Sequence, residues 1–492
     1  MRQTSQTHST THDAGTGSPF ADESVMSHAE LIIREIPPRA PDDVALALAD
    51  RRALVWLDSA KDHDGLGRYS IVAADPFGMF RIDQGNASFN GEMLDGAPLD
   101  TLRRQFKKFP VAHSDAVPFA TGAIGFFAYE FGHRLEYVPN APASDTTMPD
   151  AVFGFYDCAF VHDHRDNRSF LVSSGYPEED PASRRGRAEA RIAEFQLAFA
   201  APRASLAPSP VIQDWVSNFT RASYENAVQT IIERILNGDV FQANLSQRFE
   251  AEWQRDASPL AFYRHLRNLS PAPFGSYLDF GDVVVASNSP ERFLSLRNGV
   301  MEARPIKGTA PRGRNPIEDK ALADALIASV KDRAENTMIV DLLRNDLSRV
   351  AKAGTVNVPV LCGLETYASV HHLVSVVTAH LAEGRDVADV IAATFPGGSI
   401  TGAPKIKAME VIGSLEGVPR GVYCGAIGAI GFDGEADLNI AIRTVTIRDH
   451  KVRFHVGGGI TALSNPHAEY DETLAKAERI FKSFGTNAER FA

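Results

Sequence analysis

Short apolar runs separated by turn-forming residues dominate the first third of the chain. The runs at 53–57, 69–73 and 122–129 are rich in β-branched and aromatic residues, with Gly, Asp or Pro close to their ends, as is typical of β-strands. The second half combines such runs with helical apolar spacing, but strands and helices come in groups rather than in strict alternation. This order favours an α+β fold over a parallel βαβ fold.

Five segments have the apolar spacing and the end signals of helices. The segment after Thr220 begins with capping groups and ends at Gly238, and the last segment begins at the pair 465–466 and runs to about 484. Residues 317–349 are predicted to form one long helix, because apolar residues recur there at steps of four. The other two predicted helices cover about 182–200 and 403–416.

The composition changes at two places along the chain. Residues 1–28 are rich in Ser, Thr, His and Gly and contain no apolar signal core, so they are predicted to be a disordered tail. Three prolines within residues 201–210 indicate a linker. We therefore expect three ordered parts, which are an N-terminal region over 29–175, a helix and proline-rich linker over 176–215, and a second region over 216–487.

Charge, hydropathy and cysteine usage exclude several classes of protein. The chain has 492 residues, 44% of them hydrophobic, and a formal net charge of −12, which argues against nucleic acid as a partner. No apolar stretch is long enough to cross a membrane. Its three cysteines form no CxxC pair and no zinc-ligand pattern, and so sparse a set suits the reducing cytoplasm. In a protein this acidic, an anionic ligand must be held by local positive charge.

Two pairs of carboxylates lie three residues apart on predicted helices. Asp332 and Glu335 form one pair, and Glu469 and Glu472 form the other. A spacing of three places both members of a pair on one helix face, where their oxygens could bind Mg²⁺. Acidic residues are also favourable near helix N-termini without any metal. From spacing alone, the second interpretation is the more common one.

Lys307 lies in a predicted strand-to-turn segment, directly before a glycine. A lysine that is removed from water has a lowered pKa and can act as a nucleophile or a base. Most lysines are solvated, so the residues alone leave both interpretations open. The triple glycine at 457–459 is equally ambiguous, because it could present backbone amides to a carboxylate or form a flexible turn.

Taken together, these segments resemble the chorismate-utilising enzymes, a family that includes anthranilate, aminodeoxychorismate, isochorismate and salicylate synthases. The resemblance runs from about residue 30 to 485 and is densest in the second half. Its motifs are GDVFQANLSQRF (238–249), SNSPERF (287–293), RPIKGTAPRGR (304–314), KDRAENTMIVDLLRND (331–346), GGSITGAPKIKAME (397–410) and GGGITALSNPHAEYDETLAKA (457–477).

The resemblance implies a fold, a cofactor and a substrate site. The expected fold is α+β, with a layered β-sandwich flanked by helices. The expected cofactor is Mg²⁺, bound by Glu335 and Glu472, with Asp332 and Glu469 in supporting positions. The substrate chorismate carries two carboxylates, and the residues expected to hold it are Gly308, Thr309, Tyr423, Arg443, Gly457, Gly458 and Gly459.

Two positions separate the branches of that family. Gln242 stands where the water-adding synthases have a lysine base, and a neutral amide cannot activate water in that way. Lys307 stands where anthranilate synthases usually have alanine, and the PIKGT form is typical of the branch that makes 4-amino-4-deoxychorismate. There the lysine is thought to attack ring C2 and displace the C4 hydroxyl, after which ammonia enters at C4. Glu291 resembles the general acid that helps the hydroxyl to leave.

Two alternatives to this aminating activity are kept. The nearer one is an anthranilate synthase with an unusual lysine, which would differ in the position of amination. The more distant one is a chorismate-binding subunit without turnover, and the joint presence of a nucleophile and an acid in Lys307 and Glu291 argues against it.

The resemblance also implies a partner and a second pocket. None of the cysteines lies in the Gly-x-Cys-x-Gly setting of a glutaminase nucleophile, so ammonia is expected from a separate glutamine amidotransferase subunit. A second enzyme would then release p-aminobenzoate for folate. A tryptophan pocket is expected at Ser59, Pro273, Phe274 and Gly275. Inhibition by tryptophan is not expected, because Trp-Leu-Asp-Ser at 56–59 and Pro-Ala-Pro-Phe at 271–274 depart from the family's feedback signatures.

Overall fold

The computed structural model describes residues 30–60, 66–139, 148–203, 205–367 and 370–491. Within these residues the strands, numbered along the chain, form two large antiparallel sheets of twelve strands each. The predicted tail of 1–28 lies outside the described residues.

The first sheet runs in the order β1-β10-β9-β3-β2-β13-β14-β23-β24-β12-β11, with β20 paired to β12. Its strands are β1 (Ile32–Ile36), β2 (Val55–Asp58), β3 (Tyr69–Ala73), β9 (Cys158–Asp163), β10 (Arg168–Ser173), β11 (Val216–Ser217), β12 (Gln242–Glu252), β13 (Phe274–Asp279), β14 (Val284–Ser289), β20 (Gly402–Ala403), β23 (Thr444–Arg448) and β24 (Lys451–Ile460).

The second sheet runs in the order β17-β19-β16-β15-β22-β21-β7-β8-β4-β5-β6, with β18 paired to β19. Its strands are β4 (Gly78–Asp83), β5 (Asn86–Phe89), β6 (Glu92–Leu94), β7 (Gly122–Phe127), β8 (Ala151–Tyr156), β15 (Arg292–Arg297), β16 (Val300–Ala303), β17 (Ile306–Pro311), β18 (Asn357–Thr366), β19 (Val370–His380), β21 (Ala426–Gly431) and β22 (Ala436–Ile440).

The helices of the described residues lie outside the two sheets. Four of them, α4, α5, α10 and α11, match predicted segments, α7 and α8 divide a fifth, and α1, α2, α3, α6 and α9 were not predicted. They are α1 (Pro41–Ala47), α2 (Pro98–Phe106), α3 (Gly132–Leu135), α4 (Pro181–Ala200), α5 (Arg221–Leu236), α6 (Pro259–Leu269), α7 (Pro316–Ala328), α8 (Val330–Ser348), α9 (Val387–Thr394), α10 (Lys405–Glu416) and α11 (Pro466–Ser483).

The prediction of one helix over 317–349 is wrong, because the chain breaks at Ser329. This residue is extended, with φ −64° and ψ 110°, and its side chain accepts a hydrogen bond from the backbone N–H of Asp332. Ser329 is therefore the N-cap of α8. The break lets α8 start in a new direction, and α8 carries two of the predicted site carboxylates.

Three layers of apolar packing hold the sheets and helices together. The cluster between the sheets contains Val55 and Val285 of the first sheet and Phe126 and Ile427 of the second. A second cluster joins the first sheet to helices such as α5 and α11, and a third joins the second sheet to α8 and α9. The expected α+β fold, a layered β-sandwich flanked by helices, is confirmed.

Both sheets contain strands from before and after the predicted linker. Strands β1–β10 come from 29–175, and they pair within the same two sheets as β11–β24. Helix α4, in the predicted linker region, packs on this sandwich, where Arg187 Nε lies 2.9 Å from the buried Asp157 carboxylate. The predicted regions are therefore successive segments of the chain that share two sheets, rather than units with sheets of their own. None of the described helices is both long and apolar enough to span a bilayer.

Candidate active site

Lys307 lies on β17, at the edge of the second sheet, where a glycine brings the strand close to α8. Gly308 has a φ of +81°, a conformation that favours glycine. A Cβ atom at Gly308 would lie 2.9 Å from the Cβ of Asp332. The pair Gly308 and Asp332 thus joins the lysine strand to the start of the carboxylate helix.

The amine of Lys307 faces the glycines of β24. Its Nζ lies 3.4 Å from the place where a Cβ of Gly459 would be. Among the described residues, nothing forms a hydrogen bond or ion pair with this amine. Burial lowers the pKa of Lys307, although Glu335 and Glu291 act in the opposite direction. A larger fraction of the side chain is therefore neutral, the form in which an amine is a nucleophile.

Glu291 follows β14 and is held in a buried setting, with 5% of the residue exposed. Its Oε1 accepts a hydrogen bond from Ser399 Oγ at 2.7 Å and one from the backbone N–H of Ile306 at 3.4 Å. Burial raises the pKa of Glu291, opposed by Ser399, Lys307 and Arg443. A carboxyl group with a raised pKa keeps its proton to higher pH, which favours a role as a general acid.

The triple glycine opens both faces of β24. A Cβ at Gly459 would lie 2.0 Å from Gln242 Nε2, on the side of Lys307. On the other face, a Cβ at Gly458 would lie 3.4 Å from Glu469 Oε2 and 3.4 Å from Glu472 Oε1. Gly457 faces the backbone of Leu245, 2.2 Å from where its Cβ would be. These glycines therefore form part of the sheet, and the alternative of a flexible turn is wrong.

The predicted metal carboxylates come from α8 and α11. Burial raises the pKa of Glu335 and of Glu469; Asp332 and Glu469 raise that of Glu335 further, and Glu472 raises that of Glu469. Glu472 is exposed, and its Oε1 lies 2.7 Å from Lys476 Nζ. Burial opposes the shift, but Lys476 lowers the pKa of Glu472. The acids of the two helices therefore repel one another across a small space.

The four side chains are carboxylates, the kind of ligand that a hard cation prefers. They do not converge on a single point in the structure. Within the described residues, no three His, Cys, Asp or Glu side chains are close enough together to hold a metal ion. The hydroxyl of Ser329 donates to Asp332 Oδ2, so this carboxylate also belongs to the helix cap. All four donors are carboxylates, which Mg²⁺ prefers, and the missing side chain of Gly458 leaves room beside two of them.

Arg443 and Tyr423 flank the open end of the β21–β22 hairpin, because Tyr423 precedes β21 and Arg443 follows β22. Arg443 adopts a positive φ of 51°, an uncommon conformation for a residue with a side chain. Its guanidinium donates to none of the described residues. Tyr423 is buried, and its ring stacks on His455 with centroids 5.2 Å apart and planes 9° apart. Of the other predicted substrate residues, Thr309 is exposed and its hydroxyl bonds His372 Nδ1 at 2.8 Å.

Sequence reasoning missed a buried cation beside Tyr423. The Arg420 guanidinium lies 5.7 Å from the Tyr423 ring centroid and pairs with Glu416 at 2.7 Å, and both charged side chains are 1% exposed. Arg420 also donates to the carbonyls of Asn244 and Ile400. It therefore joins β12 and the glycine-rich segment before α10 to the part of the protein that carries Tyr423.

Two other missed residues contact the predicted site directly. Ser399 bonds Glu291, and it lies in the glycine-rich segment of 397–405, which on pattern alone looks like a helix cap. Lys476 bonds Glu472 and donates to the carbonyl of Gly457 at 2.8 Å. The sequence could have predicted this contact, because Lys476 follows Glu472 by four residues and that spacing places two side chains together on a helix.

A cavity of about 430 Å³ lies between the two sheets, away from Lys307. All four residues predicted for a tryptophan pocket line this cavity: Ser59, Pro273, Phe274 and Gly275. Ser59 Oγ donates to the carbonyls of Tyr69 and Pro273, at 2.5 and 3.3 Å. Charged residues that the sequence did not predict, Arg68 and Arg292 among them, complete the wall.

Comparison with known proteins agrees with this geometry. A family model described as chorismate binding enzyme matches residues 52–482. The chain belongs to the chorismate binding enzymes. It is 42% identical to aminodeoxychorismate synthase component 1 of Salmonella typhimurium over 453 residues, 90% of this chain and 96% of that protein.

Anthranilate synthases are similar at slightly lower identity. Component 1 of Geobacillus stearothermophilus is 38% identical over 453 residues, covering 87% of this chain and 88% of that protein. The crystal structure of component I from Streptococcus pneumoniae has a TM-score of 0.76 and 34% identity, covering 84% of this chain and 92% of that one. As a member of this family, the chain is an enzyme that acts on chorismate, and the aminodeoxychorismate branch is favoured over the anthranilate branch.

Proposed function

We propose that this enzyme is the chorismate-converting component of aminodeoxychorismate synthase, forming 4-amino-4-deoxychorismate from chorismate and ammonia. The observation that carries the proposal is the amine of Lys307, which lies beside the glycine strand and pairs with none of the residues that the structure describes. Its Nζ is 3.4 Å from the space left by Gly459, and the acid Glu291 acts on it electrostatically. An amine whose pKa is lowered, together with a carboxyl group whose pKa is raised, supports a two-step substitution.

In the first step, the Lys307 amine attacks ring C2 of chorismate. The ring double bonds shift by one position each, and the C4–O bond breaks. Glu291 donates its proton to the departing hydroxyl, so that water leaves, and the attacking amine loses a proton. In the second step ammonia adds at C4 and loses a proton, the double bonds return, and the C2–N bond breaks as the lysine nitrogen takes up a proton. The lysine is regenerated, and the nitrogen ends at C4.

Chorismate is proposed to lie over the glycines of β24. The backbone amides of Gly457, Gly458 and Gly459, together with Gly308 and Thr309, would bind one carboxylate. The unpartnered guanidinium of Arg443 would hold the other in a two-pronged contact. Tyr423 would complete that end of the site, since its ring stacks on His455 and lies 5.7 Å from the Arg420 guanidinium.

Glu335 and Glu472 are proposed to bind Mg²⁺, supported by Asp332 and Glu469. When bound, the cation would neutralise the ring carboxylate of chorismate. The repulsion among these acids and the room at Gly458 support this assignment. Lys476, now paired with Glu472, would provide the local positive charge that an acidic protein needs for a dianion.

Ammonia is proposed to come from a separate glutamine amidotransferase subunit in the cytoplasm. The name component 1, which the Salmonella relative carries, is consistent with such a partner. The product would then pass to a lyase that makes p-aminobenzoate for folate. We also keep the cavity at Ser59 as a proposed tryptophan pocket, without the expectation that tryptophan inhibits.

A product assay tests the proposal. The purified chain is incubated with chorismate, Mg²⁺ and an ammonium salt, and the products are separated by chromatography with mass detection. We expect aminodeoxychorismate, which added lyase converts to p-aminobenzoate. Anthranilate as the product would favour the nearer alternative. No product, either with ammonium or with a glutaminase subunit, would support the chorismate-binding subunit without turnover.

The metal assignment predicts a specific defect in the variant Glu335→Gln. Removing one carboxylate charge should raise the Mg²⁺ concentration for half-maximal activity by about tenfold or more, because Mg²⁺ is held by few carboxylates. The measurement is an Mg²⁺ titration of product formation. Asp341→Asn is the matched control, since Asp341 lies on the exposed side of the same helix and pairs with Arg344. Equal Mg²⁺ requirements in both variants would remove Glu335 from the metal site.

A further inference from the structure

Glu291 is held through only one of its two carboxyl oxygens. Oε1 accepts the hydroxyl of Ser399 and the backbone N–H of Ile306. Oε2 accepts no hydrogen bond from the described part of the chain. The main chain of Glu291 is fixed separately, because its carbonyl accepts the N–H of Ile440 at 3.0 Å and its N–H donates to Ser289 Oγ at 3.2 Å.

The segment that carries Ser399 is tied down by hydrogen bonds within its turn and beyond it. Ser399 is 9% exposed. Thr401 Oγ1 closes the turn by donating to the carbonyl of Gly397 at 2.9 Å. Beyond the turn, Lys405 Nζ donates to Asp346 Oδ2 and to the carbonyl of Thr394, both at 2.8 Å. The hydroxyl of Ser399 is therefore a fixed donor rather than an adaptable one.

In a protonated carboxyl group, the carbonyl oxygen is the better acceptor, and the hydroxyl oxygen carries the proton. We infer that Ser399 is a positioning residue that keeps Oε1 as the acceptor and so holds the acid proton of Glu291 on Oε2, the oxygen left free for the substrate. The inference rests on the proposed function, because it refines the role of Glu291 as the acid.

The other charged or titratable groups near Glu291 do not select between its oxygens. Lys307 of β17 and Arg443 act on it as cations through space, and the Cys424 thiol lies near enough to interact electrostatically. None of the three donates to Oε1. Among the described residues, only the hydroxyl of Ser399 and the more distant amide of Ile306 distinguish the two oxygens.

The variant Ser399→Ala tests the inference through the pH profile. As a general acid, Glu291 works only while protonated, so activity falls as pH rises through its pKa. Ser399 donates to the carboxyl group and favours its ionised form. Without this donor, the descending limb should move to higher pH by about one unit, and kcat should fall about tenfold because the proton is no longer fixed on one oxygen. The concentration of free ammonia is held constant across the series.

Two variants separate positioning from general damage to the fold. Ser399→Thr keeps a hydroxyl and should restore both the limb and kcat. Ser289→Ala removes a hydroxyl that contacts only the main chain near Glu291, so its descending limb should match that of the parent. A Ser399→Ala profile that overlays the parent, with unchanged kcat, would overturn the inference.

An infrared titration separates this inference from the proposed function. The carbonyl band of protonated Glu291, assigned by its loss in Glu291→Gln, is followed against pH without turnover. The band should persist to higher pH in Ser399→Ala than in the parent and in Ser399→Thr. If Ser399→Ala does not fold, Ser399→Cys, with its weaker thiol donor, should give an intermediate shift. An unmoved band overturns the inference, whereas failure to form aminodeoxychorismate with a moved band overturns only the proposed function.

Discussion

Replacing Lys307 with alanine should reduce formation of aminodeoxychorismate by about a thousandfold or more, because the variant loses the group that attacks the ring. The loss should appear in kcat rather than in the KM for chorismate, since Lys307 is not among the residues that hold the carboxylates. The measurement is steady-state product formation with ammonium, followed by chromatography. In the parent enzyme without ammonia, mass spectrometry of the intact chain should detect an adduct of chorismate minus water.

The control for this prediction is Lys331→Ala. Lys331 is exposed and acts electrostatically on Glu335, Glu469 and Glu472, so its removal changes the charge near the site without removing the nucleophile. Its kcat should stay within a few-fold of the parent value. If Lys307→Ala retains activity similar to that of Lys331→Ala, the covalent route is wrong and ammonia attacks chorismate directly.

Local signals predicted most of the secondary structure in the second half of the chain. Thr220 does begin α5 as a cap, and the pair Asn465–Pro466 does begin α11. Helices α6 and α9 were not predicted. The error at Ser329 arose because apolar steps of four continue from α7 into α8. The competing signal was readable, since a serine followed three residues later by Asp332 has the form of a capping box.

The arrangement of the sheets could not be read from local patterns. β7 pairs with β21, and β2 pairs with β13, so strands far apart in sequence are neighbours. Such pairing depends on which faces are buried against which, and a single sequence does not state this. For the same reason, the proline-rich segment looked like a boundary between regions, although strands from both sides of it share two sheets.

The predicted site residues came mainly from resemblance, and their partners came only from the structure. The pairs at 332 and 335 and at 469 and 472 were visible as spacing, which left a metal role and a surface role open. The cavity at Ser59 brought together residues from two distant segments, as the resemblance implied. The contact from Ser399 to Glu291 spans 108 positions, and nothing in the composition of either segment indicates it.

Replacing Arg420 with methionine should destabilise the enzyme by about 3–5 kcal/mol, because it leaves the Glu416 carboxylate buried without its partner. Arg420 forms two hydrogen bonds to that carboxylate, at 2.9 and 2.7 Å. The variant also loses the donors to the carbonyls of Asn244 and Ile400 and the cation beside the Tyr423 ring. We therefore expect a several-fold higher KM for chorismate together with the loss in the free energy of unfolding, measured by urea denaturation.

A double variant separates the charge effect from the loss of packing. In Arg420→Met with Glu416→Gln, neither side chain is charged, and the glutamine oxygen can still accept the Ser246 N–H and hydroxyl that Glu416 now accepts at 2.7 and 2.8 Å. Removing both charges of a buried pair is often close to neutral, so the double variant should be more stable than Arg420→Met alone. If the second substitution instead lowers the free energy of unfolding further, the unpaired carboxylate is not the cause of the instability. The KM for chorismate should stay raised in both variants, because neither restores the cation beside Tyr423.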